Sequence, residues 1–87
     1  MSKIIQDVNL GLNLKRLRES KKLTQADVCA RMELMGRPVS QPLYSMIENG
    51  TRNIFVSDLM VLKEIFDVEY DEFFQGLSPI NKYEENK

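Results

Sequence analysis

Apolar residues recur along this chain in short windows at helical spacing, separated by turn-forming and charged residues. Leu10, Leu14 and Leu17 stand at i, i+4 and i+7 on one face of a first helix. Asn9 suits its N-cap, and Lys21 and Lys22 suit the negative C-terminal end. Thr24 is a second N-cap, with Asp27 in the first turn and Val28 and Met32 as the apolar face. This second helix is predicted to run to Leu34 or Met35, with Gly36 as its terminator. Ser40 or Gln41 opens a third helix, where Pro42 fits the first turn and Gly50 falls just past the end. Its period puts Leu43, Tyr44 and Ile47 on one side and Gln41, Pro42, Ser45, Met46 and Asn49 on the other. A fourth helix opens at Val56 or Ser57, with Asp58 in its first turn and Leu59, Leu62, Ile65 and Phe66 facing inward. Tyr70 to Gln75 reads as a fifth, closed by Gly76. The pattern therefore predicts an all-α, five-helix domain over residues 9–77. Residues 1–8 have no clear period and read as a loose N-terminal arm, although Ile4, Ile5 and Val8 are apolar enough to dock. Residues 78–87 read as a flexible polar tail.

Composition narrows the function. Eighty-seven residues allow one modest core and no second domain that could sense a small-molecule effector. No apolar run approaches the length of a membrane span, and no signal peptide is recognisable, so a cytoplasmic protein with no membrane association is expected. A single cysteine and no histidine leave no disulfide, zinc set or imidazole base. No metal, cofactor or catalytic site is expected, and Cys29 reads as a small packing residue. The net charge of −1 conceals a division. Residues 1–54 hold nine Lys/Arg against five acids, whereas residues 55–87 hold three Lys against eight acids. Such asymmetry suggests that the first part faces phosphate and the second faces away.

Thr24 to Gly50, TQADVCARMELMGRPVSQPLYSMIENG, reads as two helices joined by a turn. The LTQADV opening, the small Cys29, the VS before the third helix and the closing IENG resemble the lambda/Cro-type helix-turn-helix repressors, the XRE family. With LKRLRESKKLTQ upstream and VLKEIFDVEYDEFF downstream, the resemblance covers roughly Asn9 to Leu77. It implies a lambda-repressor-like DNA-binding domain whose recognition helix, about residues 41–48, enters the major groove. One departure stands out: six residues, Glu33 to Pro38, occupy a turn where the family usually has about one. The resemblance also implies that Glu48, awkward at the negative end of a helix, pairs with Arg18, and that Gln25 touches phosphate.

Side-chain chemistry assigns the remaining candidates. Gln41 can bond adenine through two hydrogen bonds, Ser45 can bond several bases, and Pro42 and Met46 offer apolar contact to a thymine methyl. Asn49, Thr51 and Arg52 lie where they could grip phosphate, with Arg16, Lys15 and Arg37 as further basic candidates. One short helix reads too few base pairs to single out an operator, so a homodimer on double-stranded DNA is expected. Tyr70, Phe73, Phe74 and Leu77 are the candidate dimer interface, because they crowd a helix too short to bury them all. The alternative reading keeps the fold as a protein-interaction module or antitoxin-type partner protein with weak or no DNA binding.

Overall fold

The computed structural model describes residues 3–81 and residue 83. Met1, Ser2, Lys82 and residues 84–87, parts of the predicted arm and tail, lie outside the described residues. Among the described residues the chain forms β1 (Lys3–Ile4), α1 (Gly11–Ser20), α2 (Gln25–Leu34), α3 (Gln41–Glu48), β2 (Ile54–Phe55), α4 (Val56–Phe66) and a 3₁₀ helix (Tyr70–Phe74).

The helix ends follow from local chemistry. Thr24 Oγ1 accepts from the Asp27 N–H at 3.0 Å, and the Asp27 carboxylate accepts from the Thr24 N–H at 2.9 Å, so α2 opens on a complete capping box. Ser40 Oγ caps α3 in the same sense, and Pro42 occupies its first turn. Gly36 and Gly50 close α2 and α3 at φ +84° and +82°. In each case the residue after the glycine donates back to the carbonyl five positions earlier: Arg37 to Met32 at 2.8 Å and Thr51 to Met46 at 2.9 Å. The first helix departs slightly from expectation. Leu10 occupies its N-cap, and Asn9 lies one residue outside, where its Oδ1 accepts from the Gly11 N–H at 2.9 Å.

The apolar faces converge on one core. Leu10 at the N-cap of α1 and Leu14 and Leu17 within it join Val28 and Met32 of α2, Tyr44 and Ile47 of α3, Leu59, Leu62, Ile65 and Phe66 of α4, and Ile54 and Phe73. Full burial of each aliphatic or Phe side chain contributes about 1.5–3 kcal/mol, so the packed faces rather than helix propensity hold the domain together.

Four α-helices are present among the described residues, not the five expected. The predicted fifth is the 3₁₀ turn, and its carbonyls explain why. Asn13 Nδ2 donates to the carbonyls of Phe73 and Gln75, both at 2.9 Å, and Arg16 Nη2 donates to the carbonyl of Glu72 at 3.3 Å. Side chains of α1 satisfy the acceptors that a longer helix would have used internally. The second correction concerns the start of the chain. Where a loose arm was expected, Lys3 and Ile4 pair antiparallel with Phe55 and Ile54. The extended turn after α2 is likewise tied down: Arg37 Nε lies 2.8 Å from Asp58 Oδ1 in α4, and its guanidinium stands over the Phe55 ring at 5.7 Å.

Gly11 sets the crossing of α1 and α3. A Cβ there would stand 2.3 Å from the carbonyl oxygens of Ile47 and Glu48, and backbone atoms cannot step aside as a flexible side chain can. Gly11→Ala is therefore expected to destabilise the domain by about 1–3 kcal/mol despite the higher helix propensity of alanine. Urea unfolding followed by circular dichroism measures this, and an unchanged midpoint would show that the two helices can separate freely.

Candidate nucleic-acid interface

The site begins with an ion pair that fixes α3. Arg18 Nε donates to Glu48 Oε2 at 2.8 Å and Nη2 donates to Glu48 Oε1 at 3.1 Å, a two-pronged contact. Both residues are buried, at 8% and 4% exposure. Arg18 Nη1 also donates to the Leu23 carbonyl at 2.9 Å, and Gln25 Nε2 donates to Glu48 Oε1 at 3.1 Å. Side chains from α1, α2 and α3 thus meet at one carboxylate. Burial alone would raise the Glu48 carboxyl, but the hydrogen bonds from Arg18 and Gln25 outweigh it and hold the group below its ordinary value. The Tyr44 hydroxyl is buried beside this carboxylate without hydrogen-bond geometry, and burial pushes the phenol far up, so it stays neutral. Desolvation likewise raises the half-buried Cys29 thiol, which removes the basis for a reactive thiolate.

With α3 held this way, its outer face is open. Gln41, Met46 and Asn49 are exposed, Pro42 stands beside them, and Ser45 is half-buried. Gln41, Pro42 and Ser45 share one shallow depression with Gln25. A neighbouring depression is lined by Leu12, Lys15, Gln25, Ser45, Glu48 and Asn49. Among the described residues, neither the Gln41 amide nor the Ser45 hydroxyl bonds to any other group of the chain. Beyond α3, Thr51 Oγ1 donates to Asn49 Oδ1 at 2.6 Å, which joins two of the expected phosphate-contact residues into one loop with exposed Arg52.

Not every expected residue comes to this face. Arg16 Nη2 is turned onto the 3₁₀ segment, where it also reaches Gln75 Oε1 at 3.3 Å, because the unpaired carbonyls there attract it. Arg37 is held by Asp58 and Phe55. Lys15 is the one of these three basic residues that lies beside α3. Leu12 was missed altogether. It is 62% exposed on α1 and lines the same depression, and its place outside the i, i+4, i+7 core series was the available signal. The proposed interface residues also separate: Phe73 is fully buried and packs on Phe66 and Tyr70, whereas Phe74 is 48% exposed, Tyr70 41% exposed and Leu77 half-buried. Phe73 belongs to the core of the single chain.

Two helices joined by a turn, the second with an exposed outer face and braced by a first helix, define a helix-turn-helix protein. The sequence model of the helix-turn-helix family matches residues 14–73, and the chain belongs to its XRE type, a family of DNA-binding regulators. No curated protein matches the chain significantly. Among the described residues no helix is long and apolar enough to cross a membrane.

Replacing Arg18 with methionine tests the junction. Arg18→Met leaves Glu48 buried without a cation, a loss of about 3–5 kcal/mol at neutral pH. In the native protein the depressed carboxyl gives stability above its unfolded pKa, about 4.3, and that contribution disappears as pH falls through the folded value. In the variant the orphaned carboxyl is instead relieved by protonation. The gap between the two proteins is therefore expected to narrow on going from pH 7 to pH 4. Guanidinium unfolding at both values checks it, and a constant gap would show that packing rather than charge carries the loss.

Proposed function

We propose that this chain is a sequence-specific, double-stranded DNA-binding transcriptional regulator of the repressor type, acting in the cytoplasm as a homodimer with α3 in the major groove of each half-site. The observation that carries the reading is the open outer face of α3: Gln41 and Ser45 have no partner within the described chain, while the opposite face carries buried Tyr44, Ile47 and Glu48. In this reading Gln41 bonds a base through its amide, Ser45 bonds a second base, and Pro42 and Met46 pack on thymine methyl groups. Gln25, Lys15, Asn49, Thr51 and Arg52 take phosphates and fix the register. Gln25 does so from the positive end of α2, with its side chain already oriented by Glu48.

Two substitutions separate the roles. Gln41→Ala is expected to cost about 1–3 kcal/mol on duplexes selected by the protein from a random pool and little on unselected duplexes. Arg52→Ala should weaken both alike and lower the salt slope by about one. Fluorescence anisotropy across a salt series reads both. Equal losses from Gln41→Ala on the two duplexes would take Gln41 out of base contact.

The homodimer reading is supported by a mostly apolar cleft lined by Ile4, Ile5, Val8, Leu10, Phe74, Leu77 and Pro79 together with Asp7 and Ser78, with Tyr70 exposed nearby in sequence. In this reading two-fold symmetry lets two copies of α3 meet half-sites one DNA turn apart, about 34–36 Å. The same cleft favours the alternative of a protein partner, as in an antitoxin. Phe74→Asp is expected to turn a dimer into a monomer in sedimentation equilibrium at micromolar concentration. A dimer indifferent to this change would move the interface elsewhere, and a wild-type protein with no measurable affinity for duplex DNA would favour the protein-partner reading.

A further inference from the structure

The C-terminal end of α3 is closed by main-chain donors of the loop, Gly50 N–H on the Ile47 carbonyl at 3.2 Å and Thr51 N–H on the Met46 carbonyl at 2.9 Å. Its last turn contains no basic residue, and its final carbonyls point toward the loop that follows. Gln6, two residues past β1, adds a second donor to one of these carbonyls and ties it to the loop. Its side-chain Nε2 donates to the Ile47 carbonyl at 3.1 Å and to the Arg52 carbonyl at 2.7 Å, so both amide hydrogens are used. Its main-chain N–H donates to Asn53 Oδ1 at 3.0 Å. The opposite amide orientation would set Oε1 against two carbonyl oxygens, and the observed one leaves Oε1 buried without a partner among the described residues. The two donations therefore outweigh an unsatisfied acceptor.

These bonds join three parts of the chain: the N-terminal strand, the end of α3, and the loop carrying Thr51 and Arg52. The β1–β2 pairing holds the same loop from its far side, since Ile54 and Phe55 follow directly. We infer that Gln6 is a positioning residue for DNA binding, fixing the Thr51–Arg52 backbone against α3 so that Arg52 meets a phosphate when α3 meets the bases. The inference rests on the reading of this loop as a phosphate contact. Gln6 itself touches no DNA. Its amide hydrogens are fully engaged within the protein, so its effect is transmitted through the Arg52 backbone and is independent of base sequence.

The test is a double-mutant cycle on the full chain with a mixed-sequence duplex as probe, read by anisotropy across a salt series. Gln6→Met keeps the side-chain volume and removes both donors. Its expected result is binding weaker by about five-fold, the equivalent of one hydrogen bond, and a salt slope smaller by about one. In the Arg52→Ala background Gln6→Met is expected to change neither quantity. A Gln6→Met protein that binds as tightly as the wild type, while Arg52→Ala binds less tightly, overturns the positioning role. So does an equal loss in both backgrounds, which would mark general loosening of the fold. If Arg52→Ala alone changes nothing, the reading of the loop as a phosphate contact fails, and the inference fails with it. Should Gln6→Met not fold, Asn53→Ala removes the other half of the brace and is carried through the same cycle.

Discussion

Glu48 is a carboxylate buried at the wrong end of a helix dipole, and the arrangement of the first three helices follows from satisfying it. Arg18 arrives from α1 with two donors and Gln25 from α2 with one. A buried ion pair adds little net stability over well-packed apolar residues of the same size. Its importance lies in direction. A sliding or rotated α3 would leave Glu48 charged and unpaired in the interior, whereas an apolar contact would tolerate small displacements. The pair therefore penalises every arrangement except the one that presents Gln41 and Ser45 outward. Gly11 enforces the same arrangement sterically, because the α1 backbone meets the end of α3 with no space for a side chain.

What could be read from the sequence divides by distance along the chain. Thr24 with Asp27, Ser40 with Leu43, and the closing glycines at positions 36 and 50 are contacts between near neighbours, and their chemistry is visible in the residue order. The apolar periods of α1 through α4 are equally local, and they gave the inward faces except at Leu43, which is half-buried and outside the core. The errors arose where a backbone group finds its partner far away. Nothing near Tyr70 announces that Asn13 will take the Phe73 and Gln75 carbonyls and leave a 3₁₀ turn instead of a helix. Nothing near Ile4 announces its pairing with Ile54. The candidate site shows the same division: the outward set on α3 is legible from period alone, while Arg16 and Arg37, expected among the phosphate contacts, are engaged by Glu72, Gln75 and Asp58, which lie far along the chain.

Adjacent residues are often asked to do opposite things in this small domain. Phe73 fills the core while Phe74 lies half-exposed on the cleft, and Ile47 packs inward while Met46 points outward. Arg18 is sealed against Glu48, yet Lys15, three residues earlier on the same helix, lines the open depression beside Ser45. Each short element therefore contributes to the core and to a surface together, which is how a chain of 87 residues can hold its shape without reserving any helix for structure alone.

The extended turn between α2 and α3 carries a different implication. Its residues are secured to α4 through Arg37, Asp58 and Phe55, while the position of α3 is fixed from the other side by α1. The side chains that hold α3 thus belong to α1 and α2, and the anchor of the turn lies on α4. Doubling the length of a loop costs only about 0.6 kcal/mol in closure entropy. Because the anchor of the turn and the ion pair that holds α3 are separate, a change in the length of this turn need not disturb the Arg18–Glu48 contact.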